Sequence, residues 1–142
     1  MRTSVFALLA LAACASAPKP DAAVRGCWIS REGAGATTMR WLPDRQEPGR
    51  LNGDMLVYGA GEPQARRFAL ETHAGAWRLC EPEAPGAPCW AVAQGRGGAI
   101  GEGPIFISGG GERLRIVRVS QPEGGGALRH DVIFAGRRDG CD

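Results

Sequence analysis

The stretch RFALETHAGAWRLC, residues 67–80, decides the fold class. In its first half Phe68 and Leu70 alternate with Arg67, Ala69 and Glu71. In its second half Trp77 and Leu79 alternate with Ala76, Arg78 and Cys80. A period of two is that of a strand with one buried face, because successive side chains leave an extended backbone on opposite sides. Between the halves, Thr72-His73-Ala74-Gly75 breaks the alternation and ends in glycine, so it reads as a turn. The stretch is therefore an antiparallel hairpin.

The same grammar extends in both directions. Upstream lie Cys27-Trp28-Ile29, Thr37-Thr38-Met39-Arg40-Trp41-Leu42 and Met55-Leu56-Val57-Tyr58, the last following Asn52-Gly53-Asp54, which reads as a turn. Downstream lie Cys89-Trp90-Ala91-Val92-Ala93, then Ile105-Phe106-Ile107-Ser108 and Arg113 to Val119 flanking Gly109-Gly110-Gly111, then His130 to Ala135. Between Ile116 and Val117 the inward parity shifts, which predicts a bulge. No run after the leader keeps the helical spacing i, i+3, i+4, i+7. About eight or nine short strands punctuated by Gly, Pro and Asp predict an all-β fold, a small antiparallel meander. It closes into a barrel of about eight strands, the alternative being a β-sandwich. Strand parity turns Trp41, Phe68, Trp77 and Phe134 inward. They either fill the core or wall a ligand cup, since an eight-stranded barrel is the size at which both outcomes occur.

The first residues read differently. Met1-Arg2 is a short positive start, and Val5 to Ala13 is an apolar run too short to span a bilayer. Ala15-Ser16-Ala17 has the small-x-small form of a signal-peptidase site, but Pro18 follows it directly. Leu11-Ala12-Ala13-Cys14 resembles the bacterial lipobox: an aliphatic residue, two small residues and cysteine. The resemblance implies a signal peptide over 1–13 and a diacylglyceryl group plus an N-acyl chain on Cys14. A lipidated tether over 14–23 and a single barrel domain over 24–142 would follow. Several acyl chains give lasting membrane attachment. Ala15, where aspartate is associated with inner-membrane retention, implies an outer-membrane lipoprotein facing the periplasm.

Lipidation at Cys14 also settles the cysteine arithmetic. Five cysteines become four: Cys27, Cys80, Cys89 and Cys141. In an oxidising compartment four cysteines read as two disulfides, with three pairings open. Cys80–Cys89 would close the proline-rich loop 81–88, and Cys27–Cys141 would join the ends of the domain. On the chain-entropy model these contribute about 2.5 and about 5 kcal/mol.

The 17 Lys and Arg nearly balance 15 Asp and Glu. No basic block exists, so no nucleic acid is implied. No Gly-x-Ser-x-Gly elbow, phosphate loop or paired metal-ligand spacing occurs in the sequence. The chain has two histidines: His73 falls in the expected turn, and His130 adjoins Asp131 in a strand, which points their side chains apart. A non-enzymatic protein with no cofactor and no metal is expected.

Gly26-Cys27-Trp28, the Thr38-Met39-Arg40-Trp41-Leu42-Pro43 strand and the following meander resemble small calycin- and lipocalin-like lipoproteins. That likeness implies a barrel opened by a Gly-x-Trp element that plugs one end, and a small apolar ligand or lipid. Gly75-Ala76-Trp77-Arg78-Leu79 is similar to the Gly-x-Trp-x-Leu start of bacterial metalloprotease inhibitors, though here it lies mid-domain. It implies the alternative: a periplasmic inhibitor or protein-interaction module using the rigid loop 81–88.

Overall fold

The computed structural model describes residues 19–32, 35–93 and 104–141. Cys14 and the leader lie outside the described residues, as do Gly33-Ala34 and the glycine cluster 95–98. The fold is all-β: among the described residues nine strands form one nearly closed barrel. They are β1 (Gly26–Ser30), β2 (Ala36–Pro43), β3 (Leu51–Tyr58), β4 (Gln64–His73), β5 (Ala76–Cys80), β6 (Cys89–Ala91), β7 (Ile105–Gly110), β8 (Arg113–Ser120) and β9 (Arg129–Asp139).

The sheet order is β6-β5-β4-β3-β2-β1-β9-β8-β7, and every neighbouring pair is antiparallel. A ring of nine strands cannot close with all neighbours antiparallel. The seam between β6 and β7 is accordingly parallel. It consists of a bridge between Val92 and Ile105, with the Ala93 amide donating to the Ile105 carbonyl at 2.8 Å.

The hairpin of residues 67–80 forms with Leu70 opposite Leu79 and Thr72 opposite Trp77. Its turn is tighter than expected. His73 is the last residue of β4, and only Ala74 and Gly75 turn, both at positive φ (50° and 79°). That is the two-residue geometry that suits the twist of paired strands.

Three sequence expectations are corrected. Asn52-Gly53-Asp54 is not a turn but lies inside β3. Gly53 sits between Trp41 and Phe68 in the neighbouring strands. A Cβ on it would meet the Trp41 ring at 2.7 Å. Its bare backbone lets the two rings approach to 6.4 Å between centroids. Gly109 and Gly110 likewise belong to β7, and the turn is Gly111-Glu112. Finally, residues 20–23 are not part of a structureless tether. Pro20–Val24 forms one helical turn, α1, packed on β7, with Val24 fully buried. The Trp28 indole donates to the Val24 carbonyl at 2.6 Å. This turn closes one end of the barrel.

The core holds Trp28, Met39, Trp41, Leu51, Met55, Phe68, Leu70, Leu79, Ile105, Leu114, Ile116 and Phe134 around Val24. The register shift falls between Ile116 and Val117, as their parity suggested, but the extra residue is Ile133 on β9. β9 is longer than its apolar part because its second half pairs with β1, where Trp28 faces Arg138.

Candidate functional site

The two ends of the barrel differ in construction. At the sealed end Val24 and Trp28 fill the mouth, and Cys27 is bridged to Cys141 with Cα atoms 5.3 Å apart. The Arg138 guanidinium lies 4.4 Å from the Trp28 ring centroid, and its Nε donates to the Gly111 carbonyl.

At the opposite end the strands β4, β6, β8 and β9 and the loop 81–88 border a cavity of about 360 Å³. Arg66, Glu81, Pro88, Trp90, Arg118, Asp131, Val132 and Ile133 line it. Arg66 lies opposite the buried Met55 and keeps the parity of Phe68 and Leu70. Arg118 lies opposite the buried Ile105 and keeps the parity of Leu114 and Ile116. Two arginines thus stand at inward-facing positions at the rim. Each has a carboxylate partner. Arg66 Nε and the Nη2 nitrogen donate to the two Glu81 oxygens at 2.7 and 2.9 Å, a bidentate fork. Arg118 donates to Asp131 at 3.0 Å. Its guanidinium also lies 5.5 Å from the Trp90 ring centroid, and that of Arg66 lies 5.0 Å from the Phe68 centroid. The hydrogen bond from Arg118, with the charges of Arg129 and Arg118, holds the Asp131 carboxyl below the usual carboxylate range. Such a group accepts hydrogen bonds and is a poor proton donor.

The loop 81–88 forms one wall of this end. Cys80 and Cys89, directly paired across β5 and β6, are bridged with Cα atoms 4.0 Å apart. The Glu81 amide donates to the Pro88 carbonyl at 2.9 Å, Ala84 to Glu81 at 3.2 Å, and Ala87 to Ala84 at 2.9 Å. From outside, Arg66 holds Glu81, and Arg67 holds Glu83 at 2.8 Å. Pro82, Glu83, Pro85, Gly86 and Ala87 are nevertheless exposed. The loop is both stiffly closed and accessible.

Of the four ring residues read as a ligand cup, Trp41, Phe68 and Phe134 are buried in the core, and Trp77 packs half-buried at its edge. Neither this cavity nor the groove on the outer wall between β1 and β7 is lined by any of the four. The Trp41 indole nitrogen is buried without a hydrogen-bond partner among the described residues. His73 and His130 are exposed at opposite ends of the barrel. Among the described residues no three His, Cys, Asp or Glu side chains gather as a metal site.

The sequence does not single out the rim arginines, because a charged residue in a strand is ordinarily solvent-facing. The available signal was phase: Arg66 continues Phe68 and Leu70, and Arg118 continues Leu114 and Ile116. Which carboxylate meets each arginine depends on strand order. Comparison with protein-family models, curated proteins and solved structures yields no match.

Proposed function

We propose that this is a non-enzymatic envelope lipoprotein, acylated at Cys14, whose barrel presents the loop 81–88 and the adjoining cleft to a periplasmic protein. The observation that carries the reading is the loop itself. A disulfide, an internal ladder and two Arg–Glu pairs hold it, while five of its residues face solvent. A segment ordered before binding loses less conformational entropy on association. Beside it, Trp90 and Arg118 are of the residue types that dominate binding energy at interfaces, and Val132 is half exposed. An inhibitor or interaction module uses such a surface. The competing function, a small apolar ligand or lipid inside the barrel, has less support, because Trp41, Phe68 and Phe134 pack among other core side chains. The outer-membrane, periplasm-facing location rests on the lipobox and Ala15, and the non-enzymatic part on the absence of a catalytic motif in the sequence.

The test is a photo-crosslinking amino acid placed in cells at Pro85 on the loop and, separately, at Arg45, an exposed residue at the opposite end. A discrete protein adduct from Pro85, absent from Arg45 and lost in Cys80→Ser/Cys89→Ser, is expected. A small molecule retained in native mass spectrometry, with no adduct from Pro85, would overturn the reading in favour of a ligand-binding barrel.

A further inference from the structure

On the outer wall, towards the sealed end, β1, β9, β8 and β7 border a groove of about 730 Å³. Arg31, Arg113, Arg115 and Arg137 line it, with Glu32 and Ser108. All four arginines are exposed. Arg113 and Arg137 stand directly opposite each other on β8 and β9. Like charges in that position repel. Arg115, two residues from Arg113, leaves the same face of β8. Elsewhere, Arg40, Arg50, Arg66, Arg67, Arg78, Arg118 and Arg129 each form an ion pair with a carboxylate. Among the described residues, no ion pair engages the four groove arginines. Glu32 is the single acid in the lining, so the groove carries four positive charges against one negative. Guanidinium groups arranged this way match phosphate oxygens, which accept two parallel hydrogen bonds from each.

The groove lies beside the point where the chain enters the barrel. α1 packs on β7. The Ala23 carbonyl lies 3.5 Å from where a Cβ on Gly109 would stand, and Gly109 is itself part of the groove lining. Four residues lie between Cys14 and Lys19, so five Cα steps span at most about 18 Å.

We infer that the arginine groove seats the barrel on the anionic phospholipid headgroups of the membrane that holds its anchor. This rests on the acylation of Cys14. The short tether keeps the groove close to the lipid phosphates, and each arginine at an anionic surface strengthens attachment about five-fold. The orientation follows. The sealed end faces the bilayer, and the loop 81–88, at the other end of the barrel, projects into the periplasm.

The acylated mature protein is reconstituted into vesicles of phosphatidylcholine alone or with about one third phosphatidylglycerol. Arginines are then modified with a dicarbonyl reagent, and the modified peptides are quantified by mass spectrometry. Arg113, Arg115 and Arg137 should each react about five-fold more slowly on the anionic vesicles, while Arg129, exposed at the loop end, reacts equally on both. High salt should abolish the difference. Arg113→Ser/Arg115→Ser/Arg137→Ser, acylated and with both disulfides intact, should lose any contrast in amide exchange of β8 and β9 between the two vesicle types. Equal modification on both vesicles by an acylated, vesicle-bound protein would overturn the inference and leave the lipoprotein reading standing. Equal protection by inorganic phosphate in solution would assign the groove to a soluble anion and overturn the membrane reading. An intact mass without acyl chains would overturn both.

Discussion

The two ends of the barrel solve the same problem with different chemistry. At one end a helical turn inserts Val24, the Trp28 indole finds the Val24 carbonyl, and a disulfide fastens the terminal strand to the first. At the other end the rim positions are charged, and Arg66–Glu81 and Arg118–Asp131 stand where apolar side chains would otherwise meet. The first end removes apolar surface from water, a gain that is not tied to the ionisation of any side chain. The second keeps ion pairs: Arg118–Asp131 is partly exposed and contributes little because water screens it, whereas Glu81 is mostly buried within the bidentate Arg66 fork. The sealed end thus holds the apolar plug and the disulfide that closes the longer loop, and an accessible polar surface is left at the loop end.

The disulfides break this comparison most directly. Cys27→Ser/Cys141→Ser should lower the unfolding free energy by about 5 kcal/mol, and Cys80→Ser/Cys89→Ser by about 2.5 kcal/mol, because the first closes a far longer loop in the unfolded chain. Urea denaturation of the two double variants checks the order. Equal losses would mean that the sealed end is not the dominant fastening.

Val24→Ala tests the plug alone. Removing part of a fully buried side chain should cost about 2 kcal/mol. The local signature matters more: amides of β7 around Gly109 should exchange faster, while those of the 81–88 loop stay unchanged. Acceleration at both ends would show that the plug supports the whole barrel and not one mouth.

The smallest effect is electrostatic and belongs to the loop end. Asp131 is held below the usual carboxylate range by its hydrogen bond from Arg118. A depressed folded-state pKa contributes stability above the unfolded value, about 3.9, that is lost as pH falls through the folded value. Wild type should therefore be slightly more stable than Asp131→Asn near neutrality, and the difference should vanish in strong acid. Urea midpoints measured across that range would show it. A difference independent of pH would mean that the asparagine disturbs packing at the bulge and not charge.

Much of the architecture was legible because alternation is a local property. Phe68, Leu70, Trp77 and Leu79 declare a half-buried hairpin without help from the rest of the chain, and the parity break at Ile116 and Val117 marks the bulge. The candidate site was less legible. Arg66 and Arg118 carry inward phase, but a charged side chain in phase with a core is recognised only when its carboxylate partner is known, and Glu81 reaches Arg66 from the loop after β5 while Asp131 reaches Arg118 from β9. The loop 81–88 could be singled out beforehand because three prolines and two flanking cysteines are local marks. The arginine groove was invisible for the opposite reason. Arg31, Arg113, Arg115 and Arg137 are scattered along the chain and become neighbours only when β9 lies between β1 and β8.

Glycine separates what the sequence by itself determined from what the tertiary structure decided. The strands, their faces and the all-β class follow from periodicity, since each residue need only know its neighbours two places away. Gly53 and Gly109, however, look like turn punctuation in sequence and are strand residues in the fold. Gly53 leaves room for Trp41 against Phe68, and Gly109 for the Arg113 carbonyl across its hairpin, where a Cβ would stand at 3.0 Å. Ala74-Gly75 and Gly111-Glu112 do turn the chain. A missing Cβ permits either a tight turn or a close approach, and only the packing of distant segments determines which freedom is used. The same holds for barrel closure. Nine strands require one parallel seam, and it is the meeting of Val92 with Ile105 that supplies it.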